Sequence, residues 1–354
     1  MRPSRPAHLA RSFAAGASVF LLLLACAGCA TTTDGASTTP VPARSTVSAT
    51  STSTTTATNA ASATQATSTT STSTLPGTGK PVVTIGDKNY TEQFVLGQLY
   101  MQALQADGFS VNLNPNIGPT EVTVQALNAG TLAMYPEYLN VFDSAVAGYP
   151  NPFKSQLQAY AAAQRYALAH GLDLLSPTPF SDTDAIGVTV AYAATDRLRS
   201  IGDLRRVESS LTVGGPPQFQ QGSPGLPALK QAYGVTPEAF RALAVGAQYA
   251  ALDDGSVQAA DVNTTDGQLA SGDYALLRDP RQIFGWGNVV PVISAKWLAA
   301  EGPAFATTID RVDAALTTAA MRQLNADVDI AQQAPAAVAR QFLETHGLLT
   351  PAPS

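Results

Sequence analysis

The sequence predicts an α/β fold of two lobes, each a mostly parallel sheet flanked by helices. Three observations carry this. From residue 82 onward, short β-branched runs alternate with apolar segments at helical spacing, the pattern of parallel sheets with helices on both faces. The span involved, residues 80–354, is close to the largest that one hydrophobic core serves well, so two lobes are expected. No internal repeat of 20–50 residues is evident, which sets solenoids and propellers aside.

The elements follow in order. Val82-Val83-Thr84-Ile85 is a short β-branched run and reads as the first strand. Thr91 can cap a helix whose apolar positions Phe94, Val95, Leu99 and Leu104 share a face, and Gly108 ends it. Val111 to Leu113 is a second strand. Thr120 opens a helix through Val124 and Leu127, stopped by Gly130, and Leu132 to Tyr135 is a third strand. Residues 153–170 form a long Ala-rich helix closed by His170-Gly171. Ala185 to Val190 is a strand. Val213 precedes a Gly- and Pro-rich loop and then a helix over Leu226–Tyr233. A helix from about Gln248 to Asp253 leads into a strand holding Ala259 to Val262. Val289 to Ile293 is a late strand, and helices fill the remainder.

Charge narrows the function classes. The chain has 354 residues with 20 Lys and Arg against 26 Asp and Glu, a net charge of −6, and 13% of its residues are charged. That share is about half the usual one. A mildly acidic chain lacks the clustered basic residues that nonspecific nucleic-acid binding needs. The only cysteines are Cys26 and Cys29, which excludes a disulfide framework or a cysteine metal knuckle.

The N-terminus carries Arg2, Arg5 and Arg11 without an acid, then an uncharged run from Ser12 to Ala25 ending in four leucines before Ala25. The run is shorter than the ~20 residues of a membrane span, and a basic start with a short apolar core reads as an export signal over residues 1–25. Leu23-Leu24-Ala25-Cys26-Ala27-Gly28-Cys29 resembles the lipobox of bacterial lipoproteins. That resemblance implies cleavage before a cysteine whose thiol carries a diacylglycerol. Cys26 has Leu23 three positions back and Ala25 directly before it; Cys29 is the alternative, with Ala27-Gly28 before it. A plain signal peptide with incidental cysteines is the bland reading. A redox pair is disfavoured because no βαβ pattern surrounds the cysteines. Of the 49 residues in 31–79, 28 are Ser or Thr, with only Asp34 and Arg44 charged. Such a stretch buries too little apolar surface to offset its ordering entropy. Residues 26–79 are therefore expected to be a lipid-anchored flexible linker. The remaining residues, 80–354, hold 16 basic and 25 acidic side chains, a net −9.

Four stretches in the folded part resemble the substrate-binding proteins of glycine betaine/choline/osmoprotectant ABC transporters, the OpuAC-like family. Ile85-Gly86-Asp87-Lys88-Asn89-Tyr90-Thr91-Glu92-Gln93 is similar to the family's GSKNFTEQ opening. Gly118-Pro119-Thr120-Glu121-Val122 with Gln125-Ala126-Leu127 resembles GGTEVAHQAL. Met134-Tyr135-Pro136-Glu137-Tyr138 resembles DLYPEYTGT, and Thr264-Thr265-Asp266-Gly267-Gln268-Leu269 is similar to TTDGRI. Ala232-Tyr233-Gly234 is a weaker echo. Each stretch alone is weak, but the ordered set runs over residues 82–346.

The resemblance implies a type II periplasmic-binding-protein-like fold whose two lobes, joined by two crossover strands, close on a solute. It places lobe 1 at 80–185 plus 290–354 and lobe 2 at 186–289. It also implies a small-molecule solute, an ABC permease and its ATPase as partners. With the signal and tether it puts the chain, as a monomer, at the outer face of the cytoplasmic membrane, anchored there by lipid.

Quaternary ammonium groups have no N–H to donate, so ring faces and diffuse negative charge must hold them, each ring contributing roughly 0.5–2 kcal/mol. The resemblance places Lys88 where the family has a ligand-facing lysine, followed by Asn89. It places Tyr138, with Tyr135 three residues before it, at a family cage position. Elsewhere the chain departs from the family. Leu139-Asn140-Val141 replaces Thr-Gly-Thr, Asp184 stands where a cage tyrosine is expected, and Asp182 lies two before it. No arginine occurs between Arg206 and Arg241, Asn263 replaces the aromatic before Thr-Asp-Gly, and Gly287-Asn288 replaces a final Tyr-Asn, with Trp286 before it. The expected ligand set is thus Lys88, Asn89, Tyr135, Tyr138, Asp182, Asp184, Asn263, Trp286 and Asn288.

The solute class this suggests is a quaternary-ammonium osmoprotectant of the glycine betaine, choline or carnitine type. The alternative is a different polar or cationic solute on the same scaffold, because rings and arginine have been exchanged for polar groups. An adhesion module on a stalk is more remote. Catalysis is not expected. His170 and His346 end helices, where the dipole favours a cation. No nucleophile elbow and no metal cluster appears, so no cofactor is called for.

Overall fold

The computed structural model describes residues 74–149 and 153–349. Residues 1–73, with the expected export signal, Cys26, Cys29 and most of the expected Ser/Thr tether, lie outside the described residues. No described helix is long and apolar enough to cross a membrane.

The described strands form two five-stranded sheets. The first contains β1 (Val82–Gly86), β2 (Ser110–Asn114), β3 (Met134–Tyr138), β4 (Leu172–Leu174) and, from the far end of the chain, β10 (Val289–Ser294). The second contains β5 (Asp184–Thr189), β6 (Thr212–Gly215), β7 (Ala239–Ala242), β8 (Ala259–Asn263) and β9 (Tyr274–Leu276). Strand orders are β2-β1-β3-β10-β4 and β7-β6-β8-β5-β9. β1 pairs in parallel with β2 and β3, and β6 with β7 and β8. β10 and β5 run antiparallel to both of their neighbours. Each sheet therefore has four strands in one direction and one reversed. The reversed strands are those by which the chain enters the second sheet and returns to the first.

The passage between the sheets is a pair of adjacent segments. Ser181 bridges Asn288 in antiparallel fashion, Asp182 N donates to Gly287 O at 2.9 Å, and Gly287 N donates to Ser181 Oγ at 3.0 Å. A Cβ on residue 287 would lie 1.7 Å from Asp182 O, so the close approach requires glycine there.

Helix Thr91–Ala106 buries Val95, Leu96, Leu99, Tyr100, Ala103 and Leu104 on the first sheet. Helices Pro303–Ala315 and Pro335–Thr345 close over it with Phe305, Ile309, Val312, Val338 and Phe342. The second sheet has its own core around Ile186, Val188, Val213, Leu229 and Ala259.

Several boundaries differ from expectation. Leu75 to Gly79, assigned to the tether, form a turn against the fold: Gly77 N donates to Asp107 O at 2.9 Å, and the Leu75 side chain packs at Gly108. Leu75 and Pro76 end the Ser/Thr run and supply the apolar contact it lacks. The third strand begins at Met134 rather than Leu132 and runs through Pro136 to Tyr138. Pro136 is tolerated inside a sheet because it faces Pro291 of β10, so both missing N–H groups fall on one rung. The Ala-rich helix starts at Gln156, where Ser155 Oγ accepts from Gln158 N at 3.3 Å. β4, β7 and β9 are three or four residues long at sheet edges and carried too little pattern to be foreseen.

Candidate functional site

A cleft of about 920 Å³ opens between the sheets. Tyr90, Thr91 and Glu92 reach it from the start of helix Thr91–Ala106, and Tyr138 from the end of β3. Asp182, Thr183 and Asp184 come from the crossover and the first residue of β5, and Asn263 from the last residue of β8. Thr265 and Asp266 follow β8, while Gln248 and Tyr249 open helix Gln248–Asp253. Phe284 comes from the return crossover, and Asn325 and Asp329 from helix Thr318–Asp329.

Tyr90 and Tyr138 form the aromatic wall, nearly parallel at 24° with ring centroids 6.0 Å apart. Tyr138 Oη donates to Glu92 Oε1 at 2.9 Å. Glu92 Oε2 accepts from Asn325 Nδ2 at 2.9 Å, and the same amide nitrogen donates to Thr265 O at 2.9 Å. One amide thus ties helix Thr318–Asp329 to both walls. Arg322 on that helix is committed elsewhere, its Nε donating to Thr264 O at 2.8 Å. Asp266 Oδ2 accepts from Tyr249 Oη at 2.8 Å and from Asn263 N at 2.9 Å.

Five carboxyl groups line the cleft, those of Glu92, Asp182, Asp184, Asp266 and Asp329; among the described residues no Lys, Arg or His does. Burial raises the carboxyl of Asp182 well above the usual range, and the charges of Glu92, Asp266 and Asp184 push it further. Burial, then Asp266, lifts Asp184 to about 6. Behind them Asp261 is raised to about 9 by burial and by Asp184 and Asp266. Crowded, desolvated carboxyls of this kind gain from a cation placed among them. Among the described residues no group of three or more His, Cys, Asp or Glu is arranged to hold a metal ion.

Of the residues singled out in the sequence, Tyr138, Asp182, Asp184 and Asn263 line the cleft. The other five stand elsewhere. Lys88 is 3% exposed and ion-paired to Glu137, and its Nζ donates to Thr120 Oγ1 at 3.2 Å. Its ammonium also lies 5.0 Å from the Tyr138 ring centroid and 5.7 Å from that of Tyr90. It supports the aromatic wall and does not line the cleft, because a buried carboxylate already holds it. Asn89 is exposed outside the cleft. Tyr135 is fully buried in the core beneath the first sheet, since alternation along β3 turns it away from its neighbours. Trp286 donates Nε1 to Phe153 O at 3.0 Å and packs on that same core. Asn288 Nδ2 donates to Thr178 O and Phe180 O at 2.9 and 3.1 Å, a tie within the crossover.

Sequence reasoning missed Tyr90, Glu92, Asp266, Phe284 and Asn325 as cleft residues. Tyr90, Glu92 and Asp266 lay inside motifs it quoted, whereas Phe284 and Asn325 carry no local signal.

The family model for the substrate binding domain of ABC-type glycine betaine transport systems (OpuAC) matches residues 81–345. A glycine-betaine-binding protein of Pseudomonas aeruginosa is 33% identical over 279 residues, which covers 75% of this chain and 88% of that protein. The glycine betaine-binding protein YehZ of Escherichia coli is 28% identical over 290 residues, 77% of this chain and 93% of that one. Among solved structures, a glycine betaine/carnitine/choline ABC transporter protein is similar with a TM-score of 0.71 at 24% identity, over 75% of this chain and 99% of that chain. At that identity the likeness concerns the fold.

Proposed function

The chain belongs to the family of substrate-binding domains of ABC-type glycine betaine transport systems, and from that premise we propose that it takes a small quaternary-ammonium osmoprotectant into the cleft between its sheets. The observation that carries this is the pairing of the Tyr90–Tyr138 wall with five carboxyls and, among the described residues, no cationic side chain. Ring faces and diffuse negative charge are what a group without N–H donors needs. Within the cleft, Tyr90 and Tyr138 supply the rings, while Glu92, Asp182 and Asp184 supply the charge.

As a substrate-binding protein of an ABC importer, the chain delivers its solute to a membrane permease driven by an ATPase. Lobe 1 corresponds to the first sheet with the C-terminal helices and lobe 2 to the second sheet, the crossovers acting as the hinge. The chain works outside the cytoplasm, as a monomer held to the membrane by a lipid on Cys26, or on Cys29, with the Ser/Thr segment as its tether. The basic start, the short apolar run and the lipobox-like Leu23–Cys26 support this. Family membership across residues 81–345 disfavours both an adhesion module and an unrelated solute.

The test is thermal unfolding of the chain with glycine betaine, choline, carnitine and, as a control, glycine. A ligand that binds only the folded state stabilises it by RT ln(1 + [L]/Kd), about 2.7 kcal/mol at a hundredfold excess over Kd. A rise in Tm with at least one quaternary ammonium and none with glycine is expected. No rise with any of the three at millimolar concentration overturns the proposal.

A further inference from the structure

Three residues lining the cleft carry a buried acceptor with no donor: Asn325 Oδ1, Gln248 Oε1 and Asp182 Oδ1. Asn325 is 5% exposed and Gln248 8%. A buried acceptor left without a donor is costly, so a ligand that brings a donor relieves a cost already present.

The orientation of Asn325 is fixed. Its amide nitrogen sits between two acceptors, Glu92 Oε2 and Thr265 O, which leaves the carbonyl oxygen as the free end. Glu92 also takes the hydroxyl of Tyr138 on Oε1. An aromatic face and an acceptor without a donor therefore flank the same carboxylate, an arrangement that gives a cation and a donor on one solute separate partners. The cleft offers a ligand carboxylate the opposite. No Lys, Arg or His lines it among the described residues, and five carboxyls do. A ligand carboxylate among them would be repelled and would lack the charged fork that usually holds such a group.

We infer that Asn325, Gln248 and Asp182, each with a buried oxygen that lacks a donor, form a subsite that selects net-cationic quaternary-ammonium solutes bearing a hydroxyl donor, and disfavours those ending in a carboxylate. This rests on the solute-binding reading above and specifies which end group that site prefers. Asn325 acts as a specificity-determining residue, with its nitrogen positioning Glu92 and its oxygen free for the ligand.

The experiment is titration calorimetry of the full chain at one pH with three probes: choline, its O-methyl ether, which keeps the cation but loses the O–H, and glycine betaine. Choline is expected to bind about tenfold or more tightly than either of the others, one donor or one misplaced charge being worth roughly that factor. Asn325→Leu is expected to bring choline and the ether together; should it fail to fold, Gln248→Leu provides the same comparison. An ether that binds as tightly as choline overturns the donor subsite. Glycine betaine binding as tightly as choline overturns the discrimination, while the solute-binding reading stands. Binding of none of the three overturns this inference, and if carnitine also fails to bind the solute-binding reading falls with it.

Discussion

Tyr138 Oη donates a 2.9 Å hydrogen bond to Glu92 Oε1, joining the end of β3 to the first turn of the helix across the cleft wall. The bond fixes the tyrosine ring as a face toward the cleft and keeps Glu92 oriented, although burial raises the Glu92 carboxyl. The ring and the hydroxyl are thus separable. Tyr138→Ala removes the ring face and should weaken quaternary-ammonium binding about tenfold, in line with the loss of one cation–π contact. Tyr138→Phe keeps the ring and loses only the bond, so its binding should fall by clearly less. Calorimetric titration of both variants checks this. Equal losses would mean that the ring does not hold the ligand.

The ion pair beneath that wall makes a separate prediction. Glu137 is fully buried and meets Lys88, Thr120 Oγ1 at 3.0 Å and the backbone N of Tyr138 at 2.8 Å. Lys88→Met leaves that carboxylate buried without its counter-charge, a loss of about 3–5 kcal/mol in unfolding free energy. Lys88→Met combined with Glu137→Gln should recover most of it, because neither charge then remains. Urea unfolding of the single and double variants measures the difference. If Lys88→Met alone is as stable as the parent, the pair is not what holds the wall.

The same pair shows where sequence reasoning stops. Lys88 stood in a motif whose resemblance implied a ligand-facing lysine, but its partner lies 49 residues on, and nothing local announces that Glu137 consumes its charge. Asn325 is a stronger case. It meets Glu92 across 233 residues, so its role exists only once helix Thr318–Asp329 crosses to both walls. Trp286 was read as a ring for the cleft, yet the crossover packs its neighbour Gly287 against Asp182, and the indole goes to the core instead. What local pattern carried well was the alternation of strands and helices, because buried faces repeat at fixed periods. The Thr-Asp-Gly motif and the residues around Tyr138 fall at strand ends, where a short stretch both forms the element and reaches the cleft.

Asp143 supplies a prediction about pH. Its side chain is fully buried with neither carboxyl oxygen hydrogen-bonded, and burial lifts its pKa to about 7. The folded state therefore binds this proton more tightly than the unfolded chain does. A group raised in this way stabilises the fold below its folded pKa, and that contribution is lost as pH rises from about 4 to about 7. Asp143→Asn cannot ionise, so it escapes the loss. The unfolding free energy of the variant minus that of the parent should increase between pH 5 and pH 8 by on the order of 2 kcal/mol. Taking the difference cancels the other raised carboxyls, such as Asp87 and Asp184, each at about 6. It also cancels any fixed effect of the new amide. Urea unfolding of both proteins at the two pH values reads it directly. Parallel profiles would mean that Asp143 is solvated or finds a partner when it ionises.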